Sequence, residues 1–475
     1  MVSSHGRVCM EMFTRKKQYK NILQKSALRA LVLLLVFGIT FGDFSLIIGP
    51  FTPPHADAAQ VSIDTTANST GSRHLHAGPQ TVFVSDQTGY KFYRDSGGDC
   101  VYSKTTNGGT SWAAAVQVDS QTDCEAIAVW YDRWTPNDTT GNTIHIVTLD
   151  SSSNNDNLFY NALDTTSDTR LTGAAAINTD PGNVQTYTFY NGTTVNFPSI
   201  TKATNGTIYI TADDSTDAAV LRCSTTCGTG TNWTEAGTRP HDLANDFSIL
   251  EPLTNGDIIL INRDVSASVV RSKKWNNTAG SWDAAWTTID AAATINTTYH
   301  IGMSATVASS TSAATTTIFL AYTADNTALG TDDDVRTARY GSTGWTATGD
   351  VVTNDAKGLT GVAIARDRNT NDIYVAYTGR TTAGTAGTGN VYWKVSSTSM
   401  ASWSTETGPV NTSANDMYGV DLNHSSQNRI YATWFGVTGA TVFGDTISDL
   451  VAGIRASTTS SQKSQVTAST SNFYI

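Results

Sequence analysis

The chain has 475 residues, 39% hydrophobic and 15% charged, with 30 Lys and Arg against 41 Asp and Glu and a net charge of -11. This length and apolar content exclude a disordered chain, and the acidic balance, with no Lys/Arg cluster beyond the N-terminal segment, excludes a nucleic-acid partner, which needs a basic footprint. Abundant Gly, Ser, Thr and Asn, with 11 Trp, 18 Tyr and 15 Phe, point to an all-β protein of pleated, half-buried strands.

At the N-terminus, "RKKQYK" precedes the apolar "ALRALVLLLVFGITFG" and then Ala56-Asp57-Ala58, a small-residue pattern suited to signal peptidase, so residues 1–58 read as an export signal peptide. If retained, the apolar run lengthened by "FSLIIGPF" is a membrane anchor; Asp43 and the small-residue site favour cleavage, and hence a secreted or cell-surface protein. Residues 59–72 read as a linker or a strand that closes the fold. With Cys9 in the signal, Cys100, Cys124, Cys223 and Cys227 remain, an even number in an exported chain. Cys100 with Cys124 on one face, and Cys223 with Cys227 across a short turn, are the predicted disulfides.

Residues 73–456 hold an internal repeat. Seven strands, "GYKFYRD", "NTIHIVTLD", "GTIYITADD", "GDIILINRD", "TTIFLAYTAD", "NDIYVAYTGR" and "NRIYATWFG", are anchored on Tyr90, Ile144, Ile208, Ile258, Ile318, Ile373 and Ile430. The spacing of about fifty to sixty residues suits a four-stranded unit. Each is preceded by an apolar strand across a hairpin turn such as Asn205-Gly206 or Asn255-Gly256, and followed by a third strand, the seventh of these being "LVAGIRA". In five units a Gly/Ser/Thr turn then leads to a tryptophan: Trp112, Trp233, Trp282, Trp345 and Trp403. Radially repeated meanders of this kind are the blades of a β-propeller. The seventh unit lacks a fourth strand of its own, which residues 60–72 can supply, and residues 457–475 form a Ser/Thr-rich tail that reads as linker or disorder.

The turn "TTNGGTSW" resembles the Asp-box, or BNR repeat, of the sialidase-like (neuraminidase) propellers, with Thr105, Asn107, Gly109, Ser111 and Trp112 on its five positions. Physically, the Asn side chain and hydroxyls bond turn backbone groups, Gly109 permits positive φ and Trp112 packs the turn onto its blade. The resemblance implies six blades where the repeat count gives seven. It also implies an exo-acting glycoside hydrolase for an acidic sugar, with its site on the face formed by the loops between second and third strands and the blade connectors.

On that face Arg94, Arg263 and Arg380 end the second strands of units one, four and six. Three arginines clamp the substrate carboxylate in sialidases, a task suited to permanently charged, forked guanidinium groups. The family's nucleophile is a tyrosine assisted by a glutamate, an exception to the usual carboxylate pair. Tyr418 and Glu125, which each begin an innermost strand, match it, with Asp95 or Asp123 as acid. The competing assignment pairs Arg94 with Asp95 and Arg263 with Asp264 on a solvated rim. Asp325, Asp332, Asp333 and Asp334 are the one loop suited to calcium, though without EF-hand spacing, and His74 with His76 lack a third zinc ligand. No other cofactor is indicated. The two functional readings are a sialidase-type hydrolase and a non-catalytic surface module that binds glycan or extracellular protein on the same face. In either, the chain is read as a monomer.

Overall fold

In the computed structural model residues 60–449 are described, apart from 69–77, 120–123, 151–156, 172–174, 177–197, 214–217, 241–246, 265, 294–301, 309–316, 325–332, 356–357, 381–388, 411–416, 427–428 and 437–439. The expected signal and tail lie outside the described residues, as do His74, His76 and the strand "LVAGIRA". The described residues form seven antiparallel blades and no α-helix, a seven-bladed β-propeller. No described helix is long and apolar enough to cross a membrane.

Blade 1 runs outward through Thr81–Phe83, Gly89–Arg94, Cys100–Thr105 and Val116–Gln117. The innermost strands of blades 2 to 7 are Cys124–Tyr131, Ser199–Lys202, Phe247–Pro252, Met303–Ala308, Gly358–Asp367 and Met417–Leu422. Each of these packs beside the next around the ring. Their residues are buried on both sides, because one face of every blade meets the preceding blade and the other meets the following one. Hence Ile249 joins the apolar cluster shared with blade 5, while Leu250 joins the cluster shared with blade 3.

Blade 7 differs from the expected order. Its third strand is Thr441–Asp449, which precedes the expected "LVAGIRA" in the sequence, and its outermost strand is Val61–Asp64 from the start of the described chain. Val442 and Phe443 are buried there, and the alternation around Gly444 and Asp445 continues the sheet. The N-terminal strand thus completes the last blade and closes the ring.

The turn Thr105–Trp112 is built as its residue types predict. The Thr105 hydroxyl accepts the Gly109 N–H at 3.0 Å, and Asn107 Oδ1 accepts the Ser111 N–H at 3.0 Å. Gly109 has φ +86, and a Cβ there would lie 2.2 Å from the Tyr431 ring of blade 7. Trp112 is half-buried, and its indole N–H donates to the Tyr431 hydroxyl at 3.4 Å. The turn therefore fastens blade 1 to its neighbour. The same device recurs: Trp282 donates to Ala236 O, Trp345 to Ser272 Oγ and Trp403 to Gly349 O, each in the preceding blade. Trp233 instead bonds Cys227 O within its own blade.

Both disulfides form, with Cα separations of 5.2 Å for Cys100–Cys124 and 5.7 Å for Cys223–Cys227. The first links the third strand of blade 1 to the innermost strand of blade 2. Closing a loop with a sequence separation of 24, it should stabilise by about 3 kcal/mol, a loss that denaturant unfolding of the double Cys→Ala variant should register.

Gly109→Ala and Gly206→Ala separate strain from packing. Both positions have positive φ, +86 and +87, but nothing lies within 4 Å of a Cβ at Gly206. Strain alone predicts about 1 kcal/mol for Gly206→Ala, whereas the collision with Tyr431 should raise Gly109→Ala to about 3 kcal/mol. Equal losses in urea unfolding would remove Tyr431 from the contact.

Candidate functional site

Strands alternate in direction, so each blade has two ends. The tryptophan turns and the connections from first to second strand occupy one face, and the connections from second to third strand and from blade to blade occupy the other. Arg94 and Glu125 meet on the second face. Arg94 ends the second strand of blade 1, Glu125 lies at the start of the innermost strand of blade 2, and Arg94 Nη1 donates to Glu125 Oε2 at 3.3 Å. Glu125 sits where the register with the neighbouring strand slips between Cys124 and Ala126, a β-bulge. Bulges re-aim a side chain and gather beside active sites. Two more occur at the same end of innermost strands, between Leu359 and Gly361 in blade 6 and between Tyr418 and Asp421 in blade 7, where Gly419 has φ +58.

Blades 6, 7, 1 and 2 are consecutive around the ring, and they carry Arg380, Tyr418, Arg94 and Glu125 respectively. Arg380 faces Gly358 and Gly389 in register, and Tyr418 faces Phe435. The side chains of Arg380 and Tyr418, and the whole of Asp123, lie outside the described residues. Asp95 does not pair with Arg94 in the manner of the rim assignment. Its Oδ1 accepts the Asp99 N–H at 2.9 Å within its own loop.

Arg263 departs from both expectations. It is wholly buried, donating from Nη1 to Gly302 O at 3.3 Å and to Thr323 Oγ1 at 3.4 Å in blade 5, while its Nε and Nη2 find no acceptor among the described residues. Burial pushes its guanidinium down to about 9. Asp264 binds Arg271 at 3.1 Å instead. The arginine of blade 4 is thus an interior group and does not join Arg94. In the acidic loop Asp334 is buried and engaged by Arg336 at 3.1 Å, Asp325 and Asp332 lie outside the described residues, and of Asp333 only the backbone is described. No group of three His, Cys, Asp or Glu suited to a metal occurs among the described residues.

The opposite face holds a cleft that the sequence reading missed. It is lined by Phe83–Asp86 of blade 1, Tyr131, Arg133, Trp134 and Thr139 of blade 2, Arg368 of blade 6 and Ser425 of blade 7. The long loop of blade 2 is shaped by two aspartates: Asp132 Oδ2 accepts the Thr143 N–H at 2.8 Å, and Asp138 Oδ1 accepts the Gly141 N–H at 2.8 Å. Arg133 donates from Nε to Gly141 O at 2.9 Å and from Nη2 to Asn142 Oδ1 at 2.9 Å. Arg368 donates from Nε to Ser425 Oγ at 2.7 Å and from Nη2 to Arg133 O. The only prior signals were an unusually long turn "YDRWTPNDTTGN" and the run "RDR", neither of which reveals that they converge.

No protein-family model matches the chain, and no curated protein does. Among solved structures it is similar to an ulvan lyase bound to -[GlcA(1-4)Rha3S]- (9% identity, 84% of this chain and 99% of that chain, TM-score 0.47). It is also similar to a Hadza microbial sialidase (13%, 83% and 69%, TM-score 0.44) and to a lectin in complex with alpha methyl fucoside (11%, 70% and 97%, TM-score 0.42). Likenesses this distant leave function to the geometry of the sites.

Asp132, beside the cleft, supplies a pH test. Burial opposes its ionisation, yet His145 at 2.9 Å, Lys202 at 2.5 Å and the Thr143 N–H hold its carboxyl well below the usual carboxylate range. A depressed folded value means stability that is present above about pH 4 and lost as pH falls below it. Unfolding free energies measured between pH 6 and pH 2 should therefore fall less steeply for Asp132→Asn than for the unmodified chain.

Proposed function

We propose that this protein is an extracellular propeller that recognises an acidic saccharide at the mouth over blades 6, 7, 1 and 2. The observation that carries the reading is the bulged Glu125, whose buried carboxylate is held by Arg94 at 3.3 Å where the resemblance asks for an arginine and a glutamate. The two disulfides suit an oxidising compartment. In the hydrolase form of the reading, Arg94 and Arg380 grip the sugar carboxylate, Tyr418 attacks the anomeric carbon assisted by Glu125, and Asp95 protonates the leaving oxygen. Arg263 is left out, since a wholly buried guanidinium cannot reach a ligand that arrives from solvent.

The test compares acidic sugars with their neutral analogues by calorimetry and follows turnover of an aryl sialoside. The unmodified chain should prefer the acidic member, and Arg94→Met should weaken that binding at least tenfold, about 1.4 kcal/mol. Tyr418→Phe should abolish turnover while sparing binding. Binding without turnover identifies the non-catalytic module. Equal affinity for neutral and acidic sugars sinks the reading.

A further inference from the structure

The cleft on the opposite face has the makings of a separate anion site. Arg133 and Arg368 approach each other there with no carboxylate in ion-pair contact with either among the described residues. Each uses Nε and Nη2 to bond the protein, which leaves both Nη1 groups without a protein acceptor among the described residues. Arg366 adds a third positive charge nearby; burial, with this charge beside it, pushes the Arg368 guanidinium down to about 10. A second observation is independent of these charges. Trp134, only 3% exposed, lines the cleft, and its indole N–H has no hydrogen-bond acceptor among the described residues. Such a donor is costly to bury unless a ligand or water satisfies it.

We propose that this cleft binds the oxyanion of an acidic saccharide, a carboxylate or a sulfate ester, between the Nη1 groups of Arg133 and Arg368, with the Trp134 N–H as a further donor. Two guanidinium groups and an indole donor lining one cleft suit the several lone pairs of an oxyanion. The hydroxyls of Thr139 and Ser425 flank the same space and suit the neighbouring sugar hydroxyls. Asp86 also lines the cleft, so a cationic ligand has one carboxylate to meet where an anionic one has two guanidinium groups.

The proposal goes beyond the mouth on the other face, and its test is run on Arg94→Met protein, in which that mouth is disabled. The indole signal of Trp134, assigned by Trp134→Phe, is followed in a proton–nitrogen correlation spectrum during titration with glucuronate, galactose 6-sulfate and neutral glucose. A shift with glucuronate identifies a carboxylate ligand and a shift with galactose 6-sulfate a sulfate ester, and glucose should leave the signal in place. Arg368→Met should abolish the response. Because Arg368 also bonds Ser425 and the loop of blade 2, Thr139→Trp is the second variant: it starts from an exposed side chain and fills the cleft without altering the charges. No shift with either anion, an equal shift with glucose, or an undiminished shift in Thr139→Trp protein overturns the proposal.

Discussion

Seven twisted sheets bury their faces only if the ring closes, and closure is made at the seam between blades 7 and 1. An open propeller would expose two apolar blade faces and a row of unpaired strand-edge groups. Here Val61–Asp64 pairs with Thr441–Asp449, so the two ends of the described chain share one sheet. The seam holds a buried ion pair, Lys91 to Asp421 at 3.4 Å, with Thr81 and Gln80 also bonding Asp421. Burial draws Lys91 below its ordinary value while Asp421 opposes that shift. Removing one partner of such a pair strands the other in an apolar setting, which typically costs about 3–5 kcal/mol. Tyr93 adds a bond to Asp64 at 2.6 Å, and the Gly109 turn seats on Tyr431. The seam thus adds these interactions to a tryptophan bond, Trp112 to Tyr431, of the kind that joins blades 3 to 4, 4 to 5 and 5 to 6.

The architecture was legible in the sequence because propeller blades are local objects. Strand periodicity, Asn-Gly turns and the recurring tryptophan each need only a few neighbouring residues, and they gave the blade count and the closing strand. The seventh blade misled because "ATVFGDTISD" mixes Gly and Asp with its apolar residues and reads as a loop, yet a strand that alternates between blade neighbours tolerates polar residues opposite polar partners. Asp449 faces Arg429 in register, for example.

The sites were less legible, for a geometric reason. Successive side chains on a strand point to opposite faces, so sequence neighbours such as Arg94 and Asp95, or Arg263 and Asp264, are poorly placed to pair. Glu125 meets Arg94 from the adjacent blade, and Arg271 meets Asp264 from the adjacent strand. Whether a strand-end arginine reaches solvent depends on what the next blade places over it. Gly302 and Thr323 bury Arg263, a fact carried by residues 39 and 60 positions away. The cleft is harder still, because Arg133 and Arg368 are 235 positions apart and meet only when the ring is closed.

That dependence links the two faces. Both the mouth and the cleft lie over blades 6, 7, 1 and 2, the blades that flank the seam. At the mouth Arg94 ties blade 1 to blade 2. On the opposite face His424 of blade 7 packs edge-on against Trp130 and tilted against Trp134 of blade 2, with ring centroids 5.0 and 4.8 Å apart, and its carbonyl accepts the Thr306 hydroxyl of blade 5 at 2.5 Å. Arg368 then spans from blade 6 to both Ser425 and Arg133. The contacts of His424 with Trp130 and Trp134, and of Arg368 with Arg133, join non-neighbouring blades from either side of the seam, so they exist only in the closed propeller. Local loosening at the seam would separate the cleft's two arginines before it disturbed blades 3 to 5, whose tryptophan bonds and apolar clusters do not cross it. Ring closure is therefore the condition on which the cleft's geometry depends, and the buried Lys91–Asp421 pair serves that geometry as much as it serves the fold.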